Sequence, residues 1–253
     1  MSLLAQQGMM MASSVNPTAQ AIYSKLAEWW GMDALDGGNL VGLHNGTPLT
    51  RLNAPALAAG KIGNGVDFQT SSQQGLYYDN DPPGARTNVT PMTWGCWYKP
   101  RSLLGCSLVN VALRSNLNGY DRRLNLWLGA DGKLIAMAGN GSTLFQAPTT
   151  NTASVGVFHF LQGEVVPGGE LRARIDNGPW AAVTGPATLP NINLGVRMGM
   201  NRRMVNVFHE WFADGVLDEV FLLDAQLTAD EWSYLYNGGA GMSYAALKAA
   251  AGH

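Results

Sequence analysis

The sequence predicts an all-β protein built as a two-layer sandwich, and three observations carry the prediction. Short runs alternating apolar and polar residues recur along the chain, separated by turns rich in Gly, Asn and Asp. Two of these runs end in Asp131-Gly132 and Asn177-Gly178, dipeptides that supply the positive φ angles of tight hairpins. Charged residues make up only 13% and glycines number 31 among 253 residues, which suits turn-rich β structure and opposes charge-driven disorder. A single domain of this size buries roughly 70 to 75% of its unfolded surface, enough for a full core.

In chain order, residues 1–20 read as an uncharged arm in which Leu3, Leu4, Met9, Met10 and Met11 have no local partner to cover them. The domain proper spans 21–244, and 245–253 is a tail. Ile22 to Met32 reads as strand after at most a short turn of helix, Asp33 to Pro48 as loop, and Thr50 to Lys61 as a poorly patterned connection. Val66-Asp67-Phe68 and Leu76-Tyr77-Tyr78 are short strands, while prolines exclude a central strand from 79–91. Leu124, Leu126 and Leu128 alternate with Asn125 and Trp127, and Asp131-Gly132 turns the chain into Lys133 to Ala138. Leu171, Ala173 and Ile175 alternate with Arg172 and Arg174, which places the arginines on the solvent face before Asn177-Gly178 turns toward Trp180 to Val183. Gly156 to Gly163 and Asn193 to Met200 bring the count to about a dozen strands.

The stretch from Asp214 to Tyr244 is the most ordered signal. Val216, Leu217, Val220, Phe221, Leu222 and Leu223 put apolar side chains on both faces of an extended segment, so the strand is expected to be covered on both sides. Thr228 and Glu231 form a capping box, Trp232, Leu235 and Tyr236 follow at helical spacing, and Gly238-Gly239 ends the helix. Ser243 can cap a last short helix from Tyr244 to Lys248.

These residues carry a resemblance. "Gly-Val-Leu-Asp-Glu-Val" followed by Leu227-Thr228-Ala229-Asp230-Glu231 and Leu235-Tyr236-Asn237 is similar to the closing signature of laminin-G-like, concanavalin A-like lectin/glucanase jelly rolls. Leu26 to Asp36 resembles that family's opening strand, Gly60 to Phe68 its glycine-rich turn and strand, and Met92 to Pro100 its Trp-containing strand ending in Lys-Pro. The wording LAEWW and LYNGGAGMSY is most similar to family members encoded by bacteriophages. The resemblance implies a concanavalin A-like (laminin-G-like) jelly-roll sandwich with an N-terminal arm and short C-terminal helices. It also leaves open a Ca²⁺ ion at a sandwich edge, for which Asp67 and Asp218 are the candidates.

Glucanases of this fold align three acids on one face of a strand, and no such triplet is written here. Asp218 and Glu219 are adjacent and by alternation point to opposite faces; they are expected to accept hydrogen bonds from loop backbone or from Arg197, Arg202 or Arg203. His44, His159, His209 and His253 form no HExxH pair, GxSxG is absent, and Gly60 to Val66 is no phosphate loop. Hence no catalytic residue is assigned. Cys96 and Cys106 either face each other across a hairpin or, the preferred reading, are buried free thiols. A formal charge of −2 gives no electrostatic reason for nucleic acid, and no apolar run reaches the roughly 20 residues of a membrane span.

The functional expectation is a non-enzymatic bacteriophage virion protein. In this reading it decorates or cements a capsid, made in the host cytoplasm, self-associated, and attached to the major capsid protein through its apolar arm. The alternative is a carbohydrate-binding adhesion module for host polysaccharide, with Tyr78, Tyr120 and Trp180 as the exposed rings. A glycoside hydrolase ranks last.

Overall fold

A computed structural model describes residues 15–35, 39–79, 89–113, 124–140, 142–189, 194–203 and 208–253. The chain starts with helix α1 (Pro17–Tyr23) and strand β1 (Leu26–Trp30), followed by β2 (Asn39–Val41), β3 (Pro48–Leu52), β4 (Ala56–Ala59), β5 (Asn64–Phe68) and β6 (Gly75–Tyr78). Then come β7 (Met92–Pro100), β8 (Cys106–Leu113), β9 (Leu124–Leu128), β10 (Lys133–Gly139), β11 (Leu144–Thr152), β12 (His159–Val165), β13 (Glu170–Ile175) and β14 (Ala181–Thr184). The last elements are β15 (Leu194–Met198), β16 (Asn201–Arg203), β17 (Phe208–Glu210), β18 (Gly215–Leu223), α2 (Ala229–Tyr236) and α3 (Tyr244–Ala250).

Among the described residues the strands form two eight-stranded antiparallel sheets and a small ribbon. The first sheet runs β14-β13-β12-β7-β18-β5-β4 with β1 also on β18; the second runs β11-β10-β9-β8-β15-β6-β3-β2; β16 pairs with β17. This is the expected two-layer jelly roll. Both anticipated hairpins form, β9–β10 and β13–β14.

Two cores hold it. Between the sheets, Trp94, Leu161, Leu217 and Leu222 of the first sheet meet Leu108, Leu126, Leu134 and Val196 of the second. On the other face of the first sheet lies an aromatic layer: Trp29, Trp97, Phe160 and Phe221 stack beneath Trp232 and Leu235 of α2, joined by Ile22 of α1 and Leu247 of α3. β18 is therefore buried along its whole length, as its double-faced pattern predicts.

The second core corrects several sequence readings. Residues 17–20 are not arm but the start of α1: Asn16 accepts from the Ala19 N–H at 3.0 Å, Pro17 occupies the first turn, and Ala19 is buried. The predicted Ser243-capped helix forms as α3 and runs two residues past Lys248 to Ala250, and the Asn16 N–H donates to the Ala250 carbonyl at 2.8 Å, tying the two ends of the domain together. Arg172 and Arg174 do leave the inter-sheet core, yet they do not reach free solvent. Trp180 lies 4.5 Å from each guanidinium, Arg174 is 8% exposed, and Arg172 pairs with Glu164 at 2.7 Å. The segments read as loop or connection contain the edge strands β2 and β4 and the next-to-edge strand β3, short strands whose exposure weakens their pattern. Helix α2 has the predicted capping box, but Asn237 at φ 49° takes the left-handed cap one residue before Gly238.

β18 is forked. Gly215–Leu217 pair with β5, Val220–Leu223 pair with β1 on the same edge, and the strand bulges between Asp218 and Phe221, with Glu219 at φ 45°. At the fork the ladder cannot satisfy its own backbone, and carboxylates take over. Asp218 accepts from Lys61 N at 2.7 Å and Ile62 N at 2.9 Å through one oxygen and from Glu219 N at 2.8 Å through the other. Glu219 accepts the Trp29 indole N–H. The approach is close enough to demand glycine: a Cβ on Gly60 would lie 2.4 Å from the Asn64 carbonyl and 2.7 Å from Asp218 Oδ2.

Candidate functional site

Alternation in the second sheet decides what its outer face presents. Leu124, Leu126 and Leu128 face the core, so Asn125 and Trp127 face out; the same logic turns out Asn110 between Val109 and Val111, Arg197 between Val196 and Met198, and Tyr77 beside Leu76. The register then places these residues side by side. Met137 is opposite Asn125, Asn125 opposite Asn110, Asn110 opposite Arg197, Arg197 opposite Tyr77, and Tyr77 opposite Thr50. A transverse polar row thus crosses β10, β9, β8, β15, β6 and β3.

Parts of the row are fixed by internal bonds. Ser107 donates to Asn125 Oδ1 at 2.7 Å. Arg197 folds back along the sheet, donates to the Tyr78 carbonyl at 2.8 Å and the Val196 carbonyl at 2.9 Å, ion-pairs with Asp79, and lies 5.6 Å over the Tyr77 ring. Asn110 is different. It is fully buried in the middle of the row, and neither its amide nitrogen nor its carbonyl oxygen has a hydrogen-bond partner among the described residues. Asn201, at the start of β16, is in the same condition. An orphaned buried amide costs roughly 1–3 kcal/mol per unsatisfied group, so both call for a partner that the described residues do not supply.

The row is flanked by indole. Trp127, two residues from Asn125, is half-buried, and Trp211 meets it edge-on with ring centroids 5.0 Å apart at 88°. Trp211 itself is 44% exposed. Amides, a hydroxyl and aromatic faces on one side of a rigid sheet can hydrogen-bond and stack on a hydroxyl-rich ligand; the row contains no nucleophile–base pair.

The residues singled out from the sequence do not converge. Tyr78 packs against the inter-sheet core, and Trp180 lies on the opposite side of the sandwich, edge-on to Trp232 at 5.5 Å. Neither is a free rim ring: Tyr78 on β6 packs on the core, and Trp180, just before β14, is held by Arg172, Arg174 and Trp232. Tyr120, the arm residues Leu3, Leu4, Met9, Met10 and Met11, and the side chains of Arg202, Arg203 and His209 lie outside the described residues, as does most of the 79–91 loop.

Asp67 and Asp218 do not share a site either. Asp67 pairs with Arg101, and Asp218 is filled by backbone N–H donors, which a cation would have to displace. Among the described residues no three His, Cys, Asp or Glu side chains gather to hold a metal ion. Of the arginines proposed as partners for the Asp218-Glu219 pair, Arg197 binds Asp79 instead. Burial pushes Asp218 up to about 7 against the pull of its N–H donors, and burial with the Asp218 and Asp33 charges pushes Glu219 up to about 9. His159 is structural: its Nδ1 contacts Asp176 at 2.7 Å, and Ser154 N donates to its Nε2 at 2.8 Å. Cys96 and Cys106 are buried free thiols, and burial raises both, Cys106 to about 12, so neither is a reactive thiolate.

Sequence reasoning missed Asn110, Ser107 and Asn201 and did not single out Trp127 or Trp211 as site residues. The alternation of Asn125 and Trp127 with three leucines was a usable signal for the outer face; the pairing of Asn125 with Asn110 was not.

Comparison with known proteins agrees with the architecture. No protein-family model matches the chain, and no curated protein matches it. Among solved structures, domain 4 of AbnA, a GH43 extracellular arabinanase from Geobacillus stearothermophilus in complex with arabinotriose, is similar with TM-score 0.64 and 19% identity. The match covers 82% of this chain and 96% of that one. The binding domain of Paraclostridial Mosquitocidal Protein 1 is similar with TM-score 0.64 and 12% identity over 86% of this chain and 53% of that one. Trypanosoma rangeli sialidase in complex with sialic acid gives TM-score 0.61 and 15% identity over 87% of this chain and 34% of its own. The chain thus spans about half of the toxin domain's length and a third of the sialidase's. At these identities the likeness shows the fold, a two-sheet jelly-roll sandwich.

Proposed function

We propose that the chain is a non-catalytic carbohydrate-binding jelly-roll module that holds its ligand on the outer face of the second sheet. The observation that carries this reading is Asn110, a buried carboxamide with neither polar atom satisfied, at the centre of a row that also holds Asn125 and Ser107. A sugar hydroxyl both donates and accepts, which is what such an amide lacks. The solved relative in complex with arabinotriose, matched along nearly its whole length, supports the same reading. The non-catalytic part of the reading is supported by the acids: Asp218 and Glu219 are committed to backbone and indole N–H groups at the fork of β18, not to an open groove.

The test is a titration of arabinotriose, xylotriose, cellotriose and mannotriose by calorimetry, with Asn110→Ala beside the wild type. Binding by the wild type and at least tenfold weaker binding by the variant are expected; wild-type binding to none of the four, or equal binding by both proteins, refutes the assignment. Reducing-sugar release from the matching polysaccharides is expected to be nil.

Attachment to a virion, through Leu3, Leu4 and Met9 to Met11, is a second and separate proposal. It is motivated by the uncharged, apolar composition of residues 1–14, with the major capsid protein and further copies of this chain as its partners.

A further inference from the structure

Trp211 stands at the end of the β16–β17 ribbon in a backbone conformation that its side chain disfavours. Its φ is 56°, in the left-handed region that bulky L-residues avoid, and the ring is 44% exposed, so burial does not offset the strain. Two contacts hold it there. Ser107 N donates to the Trp211 carbonyl at 3.0 Å, and Trp127 meets the indole edge-on. The anchoring strand is itself irregular at this point, with a bulge between Ser107 and Val109. Bulges that re-aim side chains and backbone strain both concentrate where a protein engages a ligand.

The location matters as much as the strain. Trp127 lies on the same face as Asn125, roughly 6–7 Å along the strand, about the spacing of adjacent rings in an oligosaccharide. Ser107 connects the two features directly: its N–H anchors Trp211, and its hydroxyl donates to Asn125. The one cation of the row, Arg197, is paired with Asp79. The flank therefore offers an aromatic face next to a row whose one cation is already paired.

We infer that Trp211 is a stacking platform for one ring of a neutral sugar chain, seated on the exposed indole beside Trp127 at the edge of the row that holds Asn125 and Asn110. The C–H face of the first ring lies on the indole, and the strain at Trp211 fixes the angle at which it is presented. This inference rests on the carbohydrate-binding reading and adds to it the class of ligand, an uncharged oligosaccharide, and the residue that positions it.

The experiment compares wild type, Trp211→Ala, Trp211→Gly and Trp211→Tyr with the same four neutral trisaccharides, by calorimetry and by thermal unfolding. Both ring-removing variants are expected to bind at least tenfold more weakly, and Trp211→Tyr to recover most of the loss. Trp211→Gly is expected to melt above Trp211→Ala, because glycine takes a positive φ freely, while binding no better. A wild type that binds none of the sugars refutes the carbohydrate reading and the platform with it. A wild type that binds, with Trp211→Ala and Trp211→Gly within twofold of it, overturns the platform alone. Loss of affinity that Trp211→Tyr fails to restore overturns it too, since a ring at that position would then not be what the ligand needs.

Discussion

Replacing Glu219 with Gln is expected to remove a pH dependence that the fork of β18 builds into the fold. Glu219 is 2% exposed, accepts the Trp29 indole N–H, and titrates at about 9 in place of the ordinary 4.5. A carboxyl raised in the folded state contributes its full stability below pH 4.5. That contribution declines as pH rises and is gone above about 9, because the unfolded chain ionises first. At about 1.36 kcal/mol per pH unit, the loss from this one group between pH 4.5 and 7 has an upper bound of roughly 3 kcal/mol. Asp218 complicates the lower part of that range, since its own raised value of about 7 makes it lose stability between its ordinary 3.8 and 7. Above pH 7 the loss remaining from Asp218 is under about half a kcal/mol, so the window from pH 7 to 8.5 reads mainly Glu219. The substituted glutamine is neutral throughout, keeps an oxygen for the indole, and carries an N–H where the protonated acid carries O–H. Urea unfolding at fixed ionic strength reads the effect. The wild type is expected to lose about 1–2 kcal/mol between pH 7 and 8.5 and Glu219→Gln a small fraction of that. Parallel pH profiles for the two proteins would show that the carboxyl is ionised in the folded state and that burial is not the dominant force on it.

Two further outcomes follow from the helices and the arm. Thr228→Ala removes the side-chain half of the α2 capping box, in which Thr228 N donates to Glu231 at 2.7 Å and Glu231 N donates to Thr228 at 3.3 Å; a loss of about 0.5–2 kcal/mol in chemical denaturation is expected, with trisaccharide affinity unchanged. Deleting residues 2–14 leaves Asn16 and Pro17 to start α1, so the melting temperature and sugar binding are expected to hold. Occupancy on capsid shells, measured by co-sedimentation, is expected to fall, and unchanged occupancy would remove the arm from the attachment proposal.

How much of the fold could be read in advance depended on whether a pattern was local. The β9–β10 hairpin was legible because three leucines at spacing two and Asp131-Gly132 specify strand, face and turn within fifteen or so residues. The double burial of β18 was legible because its apolar run leaves no polar face. The edges β2 and β4 were not, since a strand with one partner and much solvent has little reason to alternate, and β3 beside β2 is itself short and half-exposed. The third layer was hidden for a different reason. Ile22, Trp29, Trp97, Phe160 and Trp232 come from five distant elements, and only the folded sheet shows that one side of it needs a cover. That missing cover is why Arg172 and Arg174 were assigned to solvent, although both end against Trp180.

The candidate site was illegible for a reason that also bears on its role. Asn110 sits in an apolar strand between Val109 and Val111, and from sequence alone it is an ordinary outward polar residue of a half-exposed strand. Its meaning comes from register across three ladders, which brings Asn125, Asn110, Arg197 and Tyr77 into line from segments up to about 120 residues apart. Within that line the chain discriminates. Arg197 finds Asp79 and two carbonyls, Asn125 finds Ser107, and Asn110 finds nothing among the described residues. If the row served only to hold the sheet, an apolar residue at position 110 would do better, because it removes an unsatisfied buried amide without costing a contact. Asn110→Leu is therefore expected to raise the unfolding free energy by about 1 kcal/mol or more while weakening trisaccharide binding. A destabilised Asn110→Leu would instead mean that the amide already has a partner within the fold, and the row would lose its claim to be a binding surface.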